Sequence, residues 1–362
     1  MSIAAPRLYL LGTGTVGSAF VERDARLRAN RVALPPLAAI ANSRGWQDCD
    51  ASSIGAVLTA LRDSHAPRDA AWLARTRFGR GDIVVDASAS EDLASRHGEW
   101  LSNGAHVITA CKLGQGTSLD RWCAIRAAAA ASNTCYGDSA TVGAGLPLLR
   151  SLRELQAGGD RIHAVAGVLS GSLAWLFNHY DGKRPFSGFV REARDVGYTE
   201  PDPRDDLSGE DVRRKIVILA RAAGVELDAS AVQVDSLVPD TLAKRSVQDL
   251  DAALPILDEA MRVRYADAYR DGDVLKFIAR YEKGVAKVGL EALPSNHPLA
   301  AGAGTDNRVA IWSDRYCDQP LVIQGPGAGA EVTAAALIDD VLRITTTEAA
   351  SAFNHVHRQA AA

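Results

Sequence analysis

The first part of the chain alternates short apolar runs with segments of helical periodicity. The apolar runs are bounded by glycine and polar residues, as is typical of buried strands, and cover residues 7–12, 37–41, 82–88, 106–112 and 135–142. The helical segments between them end near Arg26, Asn103 (ahead of Gly104) and Ala131. Strands that alternate with helices predict a parallel sheet covered by helices, which is an α/β domain.

The later part of the chain has strand-like runs separated by longer helical stretches. These runs cover residues 161–170, 232–238, 274–281, 285–293 and 308–312. They predict an α+β substrate domain with a mixed sheet, which we also expect to form the interface of a homodimer. A glycine-rich stretch, Gln324–Gly329, leads into a predicted helix over 331–342, where we expect the chain to return to the first domain. The predicted domains are 1–148, 149–320 and 321–362.

The stretch Gly197–Ile216 combines a rigid loop with the start of a helix. Pro201 and Pro203 fix their own φ angles and keep the residues before them out of the helical region. Ser208 and Asp211 have the spacing of a capping-box pair, so we expect the helix to begin at Ser208. Apolar residues then recur at helical spacing and predict a buried stripe of Val212, Ile216 and Leu219.

Acidic residues crowd this stretch around one lysine. Asp211 and Lys215 are four residues apart and share a helix face, and the preceding loop carries Glu200, Asp202, Asp205 and Asp206. One interpretation is a solvated loop with a surface ion pair worth about 0.3–0.5 kcal/mol. The concentration of acids favours another, in which carboxylates hold an ammonium-bearing ligand while the lysine handles a proton.

Composition then narrows the class of protein. A length of 362 residues predicts two or three domains, and 47% hydrophobic with 23% charged residues is typical of a soluble globular protein. A net charge of −4 favours neither nucleic-acid nor membrane binding, and no apolar run approaches the roughly 20 residues of a membrane helix. Five scattered cysteines without a CxxC pair, and an N-terminus too short for a secretory signal before the first strand, predict a cytoplasmic protein.

The first apolar run ends in the motif G-x-G-x-x-G, formed by Gly12, Gly14 and Gly17. The first glycine makes the turn, the second lets the backbone approach a pyrophosphate, and the third allows close helix–strand packing. The following helix would present its N-terminal N–H groups to the anion, beside Thr15 and Val16. We therefore predict a Rossmann-type dinucleotide site here, the alternative being a tight turn that only packs well.

The end of the second run bears on the choice of cofactor. An Asp or Glu at this place usually binds the ribose 2′-hydroxyl of NAD. The residues here are Asn42, Ser43 and Arg44, and the last two are suited to a 2′-phosphate. The sequence therefore favours NADP over NAD, unless Arg44 is simply a solvated loop residue.

Two later runs end in residues whose side chains could bind a ligand or take part in a reaction. Ligands bind at the carboxyl ends of strands in open parallel sheets, which makes Ser88 and Lys112 candidates for cofactor contact and function. Cys111 could be a thiol nucleophile, but without an obvious partner histidine we interpret it as a small buried residue.

Taken together, these segments resemble homoserine dehydrogenase. The resemblance is carried by residues 12–17, 109–112, 140–147, 167–173, 197–215 and 325–333, and it is closest to the dehydrogenase half of bifunctional aspartate kinase–homoserine dehydrogenases. From the ends of the chain we expect neither the kinase nor a C-terminal regulatory domain. The resemblance implies reversible NAD(P)H-dependent reduction of L-aspartate 4-semialdehyde to L-homoserine, in threonine and methionine biosynthesis.

The resemblance also implies roles for individual residues. Lys215 would be the general acid–base, and Lys112 would lie between nicotinamide and substrate. The positions that match substrate-binding residues, or lie near them, are Glu200, Asp206 and Asp211. The positions that match further cofactor contacts are Ser88, Gly197 and Gly329.

Two departures from the family pattern matter. Cys111 replaces an asparagine and removes an amide from the expected nicotinamide neighbourhood. Ser139, with Asp138 next to it, replaces the acid of a monovalent-cation site. The remaining candidate ligands for a sodium ion are the backbone carbonyls of Val142, Ala144 and Leu146.

Two alternative functions stay open. An aldehyde-oxidising semialdehyde dehydrogenase would need Cys111 or Cys135 as a thiol acyl-acceptor beside a base. A regulatory protein that binds NAD(P) and has lost catalysis is the other alternative, and only the change to Cys111 supports it.

Overall fold

The computed structural model describes residues 6–69 and 71–360, with side chains up to residue 346. The chain folds into two compact units. Unit 1 consists of the chain up to Gln115, residues Asp120–Gly145, and the chain from Gly329 onward. Unit 2 consists of Gly116–Leu119 and Leu146–Ala328.

The strands and helices have the following bounds. The strands are β1 (Leu8–Leu11), β2 (Leu37–Asn42), β3 (Gly45–Asp48), β4 (Ile83–Asp86), β5 (His106–Thr109), β6 (Tyr136–Gly137), β7 (Ile162–Val168), β8 (Gln233–Val234), β9 (Asp273–Glu282), β10 (Val285–Pro294), β11 (Asp306–Ser313) and β12 (Leu321–Pro326). The helices are α1 (Thr15–Ala29), α2 (Ile54–Arg62), α3 (Ala71–Arg75), α4 (Glu91–Ala94), α5 (His97–Ser102), α6 (Leu119–Ser132), α7 (Leu148–Ala157), α8 (Gly171–His179), α9 (Phe186–Asp195), α10 (Arg204–Leu207), α11 (Glu210–Ala222), α12 (Asp240–Ala243), α13 (Leu250–Ala253), α14 (Asp258–Asp271) and α15 (Ala330–Ala360).

Unit 1 is built on a six-stranded sheet in the order β3-β2-β1-β4-β5-β6. Every pairing is parallel except that of β2 with β3. The strands β1, β4 and β5 are buried along their whole length, because helices cover both faces. One core cluster contains Phe20 of α1 and Leu337 of α15, and the other contains Trp100 of α5 and Ile125 of α6. The predicted Rossmann-type sheet is thus confirmed.

Unit 2 is built on a second six-stranded sheet in the order β12-β11-β7-β9-β10-β8. Its pairings are antiparallel except that β8 runs parallel to β10. The sheet is therefore mixed, as predicted. The helix α11 carries the predicted buried stripe, with Val212, Ile216 and Leu219 each at most 1% exposed.

The short segment Gly116–Leu119 is held in unit 2 by two ionic side chains. Arg221 at the end of α11 is almost fully buried and donates from Nη2 to the carbonyl oxygen of Thr117 over 2.9 Å. Asp228 accepts the N–H of Leu119 at 3.1 Å. Along the chain, this segment separates two pieces of unit 1. The two bonds therefore anchor residues 116–119 within unit 2.

Several predictions about unit 1 need correction. The strand β3 was not predicted, because its four residues, Gly-Trp-Gln-Asp, lack an apolar run. The predicted helix over 91–103 is two short helices, and the turn between them lets His97 point inward to a buried carboxylate. The predicted strand over 135–142 ends at Gly137, because Ser139 turns to bond Asp340 and starts a 3-10 helix, Ser139–Thr141.

Other corrections concern unit 2. The helix α11 begins after Gly209, not at Ser208, because Gly209 adopts φ +77° and a side chain there would press on Phe277. The predicted strand over 232–238 is only the edge strand β8. The predicted boundary at 321 is wrong, because β12 pairs with β11 and the chain leaves unit 2 only after Ala328.

Candidate active site

The turn between β1 and α1 is shaped by its glycines. Gly12 has φ +112°, and a Cβ there would lie 2.8 Å from the carbonyl oxygen of Ala87. A Cβ on Gly17 would lie 1.9 Å from the carbonyl oxygen of Gly12, which no neighbouring shift of a few tenths of an ångström relieves. A Cβ on Gly14, in contrast, would meet no atom within 4 Å. Two glycines are therefore required by the fold, and the third leaves space for a ligand.

The start of α1 is suited to an anion. This helix has 15 residues, begins at Thr15 and carries no acid in its first turn. Its first N–H groups have no partner within the helix, and the helix dipole adds positive potential there. Val16 is half-buried and packs against the core of unit 1.

A cleft of about 720 Å³ opens beside this turn within unit 1. The predicted residues that line it are Gly12, Gly14, Ser43, Arg44 and Ser88. Two basic residues that the sequence did not single out, Arg62 and Arg68, line it as well. Three guanidinium groups on one cleft favour a ligand with several negative charges.

The wall of the cleft at the end of β2 is fixed by hydrogen bonds. The Nδ2 atom of Asn42 donates to Thr13 Oγ1 at 2.9 Å and to the carbonyl oxygen of Leu61 at 2.8 Å. Its Oδ1 atom accepts the N–H of Arg44 at 2.8 Å. Asn42 therefore joins the glycine turn to the loop that carries Arg44.

A buried polar network lies under the other end of the cleft. Asp86, at the end of β4, accepts a bond from Ser88 Oγ at 2.6 Å and contacts Nε2 of His97 at 3.1 Å. Nδ1 of His97 contacts the hydroxyl of Tyr136 at 2.9 Å, and burial raises the pKa of that phenol well above its ordinary value. The sequence did not reveal this network, because its members come from β4, α5 and β6. It fixes the orientation of Ser88.

Two residues singled out in the sequence, Cys111 and Lys112, follow the end of β5. Cys111 is 3% exposed, and burial is the main cause that raises its pKa to about 11. Such a thiol is protonated at neutral pH and is a poor nucleophile. Lys112 is half-buried in a turn three residues beyond the last residue of β5, Thr109, so it is not the end of the strand itself.

In unit 2, Lys215 is held from two sides on α11. Its Nζ atom lies 2.7 Å from Oδ2 of Asp211, and it donates to the carbonyl oxygen of Leu169 over 2.7 Å. The lysine side chain is 11% exposed, whereas that of Asp211 is 45% exposed. The ammonium is thus nearly buried beside a carboxylate that solvent or a ligand can reach.

Asp206 lies in the short helix α10, which leads into the same region. Its Oδ1 accepts from the hydroxyl of Ser172 at 2.7 Å, and its Oδ2 accepts from the N–H of Glu200 at 2.8 Å. Burial is the largest cause that raises the pKa of Asp206 above its ordinary value, and these two bonds oppose it. Asp206 therefore ties the loop at Glu200 to the first turn of α8. Ser172 was missed because it is distant in sequence.

Not every predicted residue belongs to this cluster. Asp202 pairs with Arg204 at 2.6 Å, and this contact lowers its pKa, so Asp202 shapes the loop. The residue Glu200 is exposed. Gly197 forms an exposed turn with φ +77° after α9. Gly329 has φ +127°, and its carbonyl oxygen accepts from Thr333 at the start of α15.

The residues expected around a monovalent cation are placed as follows. Val142 and Ala144 are buried in unit 1, after the 3-10 helix, and Leu146 begins unit 2. Ser139 donates its hydroxyl to Asp340 at 2.9 Å, so it is used inside the protein. Within the described residues, no group of three or more His, Cys, Asp or Glu side chains could hold a metal ion. No described helix is both long and apolar enough to cross a membrane.

Family models cover most of the chain. A model described as homoserine dehydrogenase matches residues 147–342. A model described as the homoserine dehydrogenase NAD binding domain matches residues 12–136.

Individual relatives agree with these models. The chloroplastic bifunctional aspartokinase/homoserine dehydrogenase 2 of Zea mays is 44% identical over 73% of this chain and 29% of that protein. The homoserine dehydrogenase of Paracoccidioides brasiliensis is 34% identical over 93% of this chain and 97% of that protein. A solved structure of a Candida auris protein of unknown function gives a TM-score of 0.83 at 31% identity, over 95% of this chain and 99% of the other. The chain spans about 30% of the length of the bifunctional plant relatives it matches.

Proposed function

Because the chain belongs to the homoserine dehydrogenase family, we propose that it catalyses the reversible reduction of L-aspartate 4-semialdehyde to L-homoserine with a nicotinamide dinucleotide. The observation that carries the proposal is the nearly buried ammonium of Lys215, held between Asp211 and the carbonyl oxygen of Leu169. Reduction of an aldehyde needs a proton donor at the oxygen that becomes the alcohol, and this group is fixed for that task.

The lysine acts on the aldehyde oxygen in two ways. Its positive charge stabilises the alkoxide as negative charge develops, and its N–H then supplies the proton. In the oxidation of homoserine, the neutral amine accepts the hydroxyl proton instead. Asp211 keeps the amine in place while its own oxygens remain partly exposed.

The acidic residues of unit 2 supply the binding chemistry. The substrate carries an ammonium group, which carboxylates recognise through charge-assisted hydrogen bonds. We assign this role to Glu200 and Asp211, with Asp206 bonded to the N–H of Glu200 and holding that loop in position. We retain Lys112 as a second functional lysine, on the strength of its position after β5.

Unit 1 fits a dinucleotide. The open space at Gly14 and the acid-free start of α1 receive the pyrophosphate, with Thr15 and Val16 at the first turn. Ser88 lines the same cleft. We keep Gly197 and Gly329 as further cofactor contacts on the family resemblance alone. When bound, the nicotinamide supplies the hydride to the aldehyde carbon.

We further infer a preference for NADP over NAD. The loop after β2 offers the hydroxyl of Ser43 and the guanidinium of Arg44, and the cleft adds Arg62 and Arg68. These groups suit a 2′-phosphate, and Asn42 stands where an acid would favour the free 2′-hydroxyl.

The pathway, the oligomeric state, the location in the cell and a bound cation remain to be tested. The threonine and methionine pathways, a homodimer and a cytoplasmic location stay predictions. Light scattering on the purified protein tests the homodimer. A sodium ion at the backbone carbonyls of Val142, Ala144 and Leu146 also stays a prediction. Ser139 is not a carboxylate and is bonded to Asp340, so it adds no charged ligand there.

The experiment that tests the function is an assay in both directions. We expect NADPH oxidation on addition of L-aspartate 4-semialdehyde and NADP reduction on addition of L-homoserine, with each product identified by mass spectrometry. Cofactor binding without turnover in either direction would instead identify a regulatory protein.

A thiol mechanism is tested separately. The double variant Cys111→Ser/Cys135→Ser should keep full turnover, because the Cys111 thiol is buried with its pKa raised to about 11. Formation of the acid rather than the alcohol from the semialdehyde, and its loss in this variant, would favour the aldehyde-oxidising alternative.

A further inference from the structure

The carbonyl oxygen of Leu169 has two donors, and only one of them is charged. Lys215 Nζ donates to it over 2.7 Å. The second donor is Nδ2 of Asn307, on β11, at 3.4 Å. Leu169 is fully buried and follows β7 directly, just before the cap of α8. Asn307 therefore reaches from a neighbouring strand to the same oxygen that holds the lysine.

The other half of the Asn307 amide is unusual. Its Oδ1 atom is buried and has no hydrogen-bond partner among the described residues, a property shared there with only Nε of Arg23. Asn307 itself is 1% exposed. A buried acceptor without a donor costs desolvation free energy, so the amide is a poor choice if only stability mattered.

Gly327, which directly follows β12, lies against the amide of Asn307. A Cβ added to Gly327 would lie 2.0 Å from Cγ of Asn307. The amide therefore occupies the place that a side chain at 327 would take, and it packs against the glycine backbone.

A second asparagine in unit 2 shows the ordinary arrangement. Asn178 in α8 donates from Nδ2 to the carbonyl oxygen of Gly304 at 3.0 Å, and its Oδ1 accepts from Lys276 Nζ. Both halves of that amide are used, so it stabilises the fold. Each of the two asparagines is close to a lysine. Asn178 has both halves of its amide bonded, whereas Asn307 leaves one half without a partner.

We propose that Asn307 is a positioning residue for Lys215, acting through the carbonyl oxygen of Leu169. The inference rests on the proposed function, in which Lys215 handles the proton. By sharing the oxygen, Asn307 fixes the direction in which Leu169 presents it, and with it the direction of the ammonium. The orphan Oδ1 is the cost of this arrangement.

The test compares Asn307→Leu with Asn178→Leu in the full chain. Leucine at 307 has the same branching and number of side-chain heavy atoms, with bulkier ends, and removes the orphan acceptor, while Leu169 keeps Lys215 as donor. We expect the Tm of Asn307→Leu to stay close to that of the wild type, with kcat reduced roughly 10- to 100-fold and KM little changed, because small misplacements of a catalytic group cost that much. We expect the opposite of Asn178→Leu, a lower Tm with kcat retained.

An independent readout separates this inference from the proposed function. Trace acetylation of Lys215, followed by peptide mass spectrometry, reports how the amine is held whether or not the protein turns over. We expect the rate to change in Asn307→Leu and to be unchanged in Asn178→Leu. Unchanged acetylation and kcat in Asn307→Leu, or its unfolding, would overturn the inference. An inactive wild type with the acetylation change present would overturn the proposed function alone.

Discussion

The cleft of unit 1 and the lysine cluster of unit 2 are built by opposite means. The cleft depends on backbone shape within one short turn, where Gly12 and Gly17 admit no side chain. The cluster depends on side chains from separate segments, which meet around Lys215 and Asp206. The cleft should therefore fail when atoms are added to its backbone, whereas the cluster should fail when functional groups are removed. Binding should thus be lost in one unit and turnover in the other.

The largest expected effect belongs to the cluster. Lys215→Ala should lower kcat by roughly 10³-fold, because a positioned general acid contributes about 10²–10⁴-fold. Stability should fall by about 1–3 kcal/mol, because the buried carbonyl oxygen of Leu169 loses its charged donor. The pair with Asp211 is partly exposed and adds little. Steady-state kinetics and thermal unfolding measure the two effects. The control is Lys287→Ala on the exposed side of β10, and equal turnover in the two variants would contradict a catalytic role for Lys215.

Alanine at two glycines tests the cleft. Gly17→Ala should destabilise unit 1 by about 3 kcal/mol or more, because its Cβ would meet the carbonyl oxygen of Gly12 at 1.9 Å. Gly14→Ala should fold normally and still weaken NADPH binding, because its Cβ enters the open space of the cleft. Thermal unfolding and fluorescence titration with NADPH distinguish the two. Normal NADPH affinity in Gly14→Ala would show that the dinucleotide does not bind at this turn.

A smaller effect concerns the choice of cofactor. Arg44→Ala should raise the Kd for NADPH about tenfold, the value of one charge-assisted contact, and leave the Kd for NADH unchanged. The same titration with both cofactors measures this. The matched variant is Arg31→Ala, an exposed arginine that does not line the cleft. Equal losses for NADPH and NADH would show that Arg44 does not distinguish them.

The smallest effect is a pH dependence in the anchor of residues 116–119. Bonds from Ser230 and from the N–H of Leu119 lower the pKa of Asp228 from 3.8 to about 2. A lowered folded-state pKa gives stability that is complete above the unfolded value and lost as the pH falls through the folded one. Asp228→Asn should therefore lower the Tm only slightly at neutral pH, because solvent screens this carboxylate. The difference from the wild type should vanish as the pH falls from 3.8 to about 2.

The control for this prediction is Asp318→Asn, which changes an exposed carboxylate. It should leave the Tm unchanged at each pH. A Tm difference for Asp228→Asn that persists at the lowest pH would mean that the charge of Asp228 does not stabilise the anchor.

The sequence predicted features that depend on neighbours along the chain. The glycine turn, the β1–α1 unit and the Asp211–Lys215 pair each lie within one local element, where spacing alone determines which groups meet. The mixed sheet was also predicted, because the strand-like runs of the later part of the chain lie between helical segments.

Features that depend on distant residues were not predictable in this way. The helix begins after Gly209 and not at Ser208, because Gly209 has a left-handed φ of +77°, and Phe277, far along the chain, leaves little room there for a side chain. Ser172 beneath Asp206 and the Leu169 carbonyl beneath Lys215 are in register only through the fold of unit 2. Such pairings have no sequence spacing of their own, so a structure is needed to find them.

One measurement tests the central claim, that this chain reduces an aldehyde with a hydride from its cofactor. NADPH carrying deuterium on the transferred position of the nicotinamide is incubated with L-aspartate 4-semialdehyde and the wild-type protein. We expect L-homoserine with one deuterium on the carbon that was the aldehyde, in an amount equal to the NADPH consumed. Homoserine without deuterium, or NADPH consumed without homoserine, would contradict it.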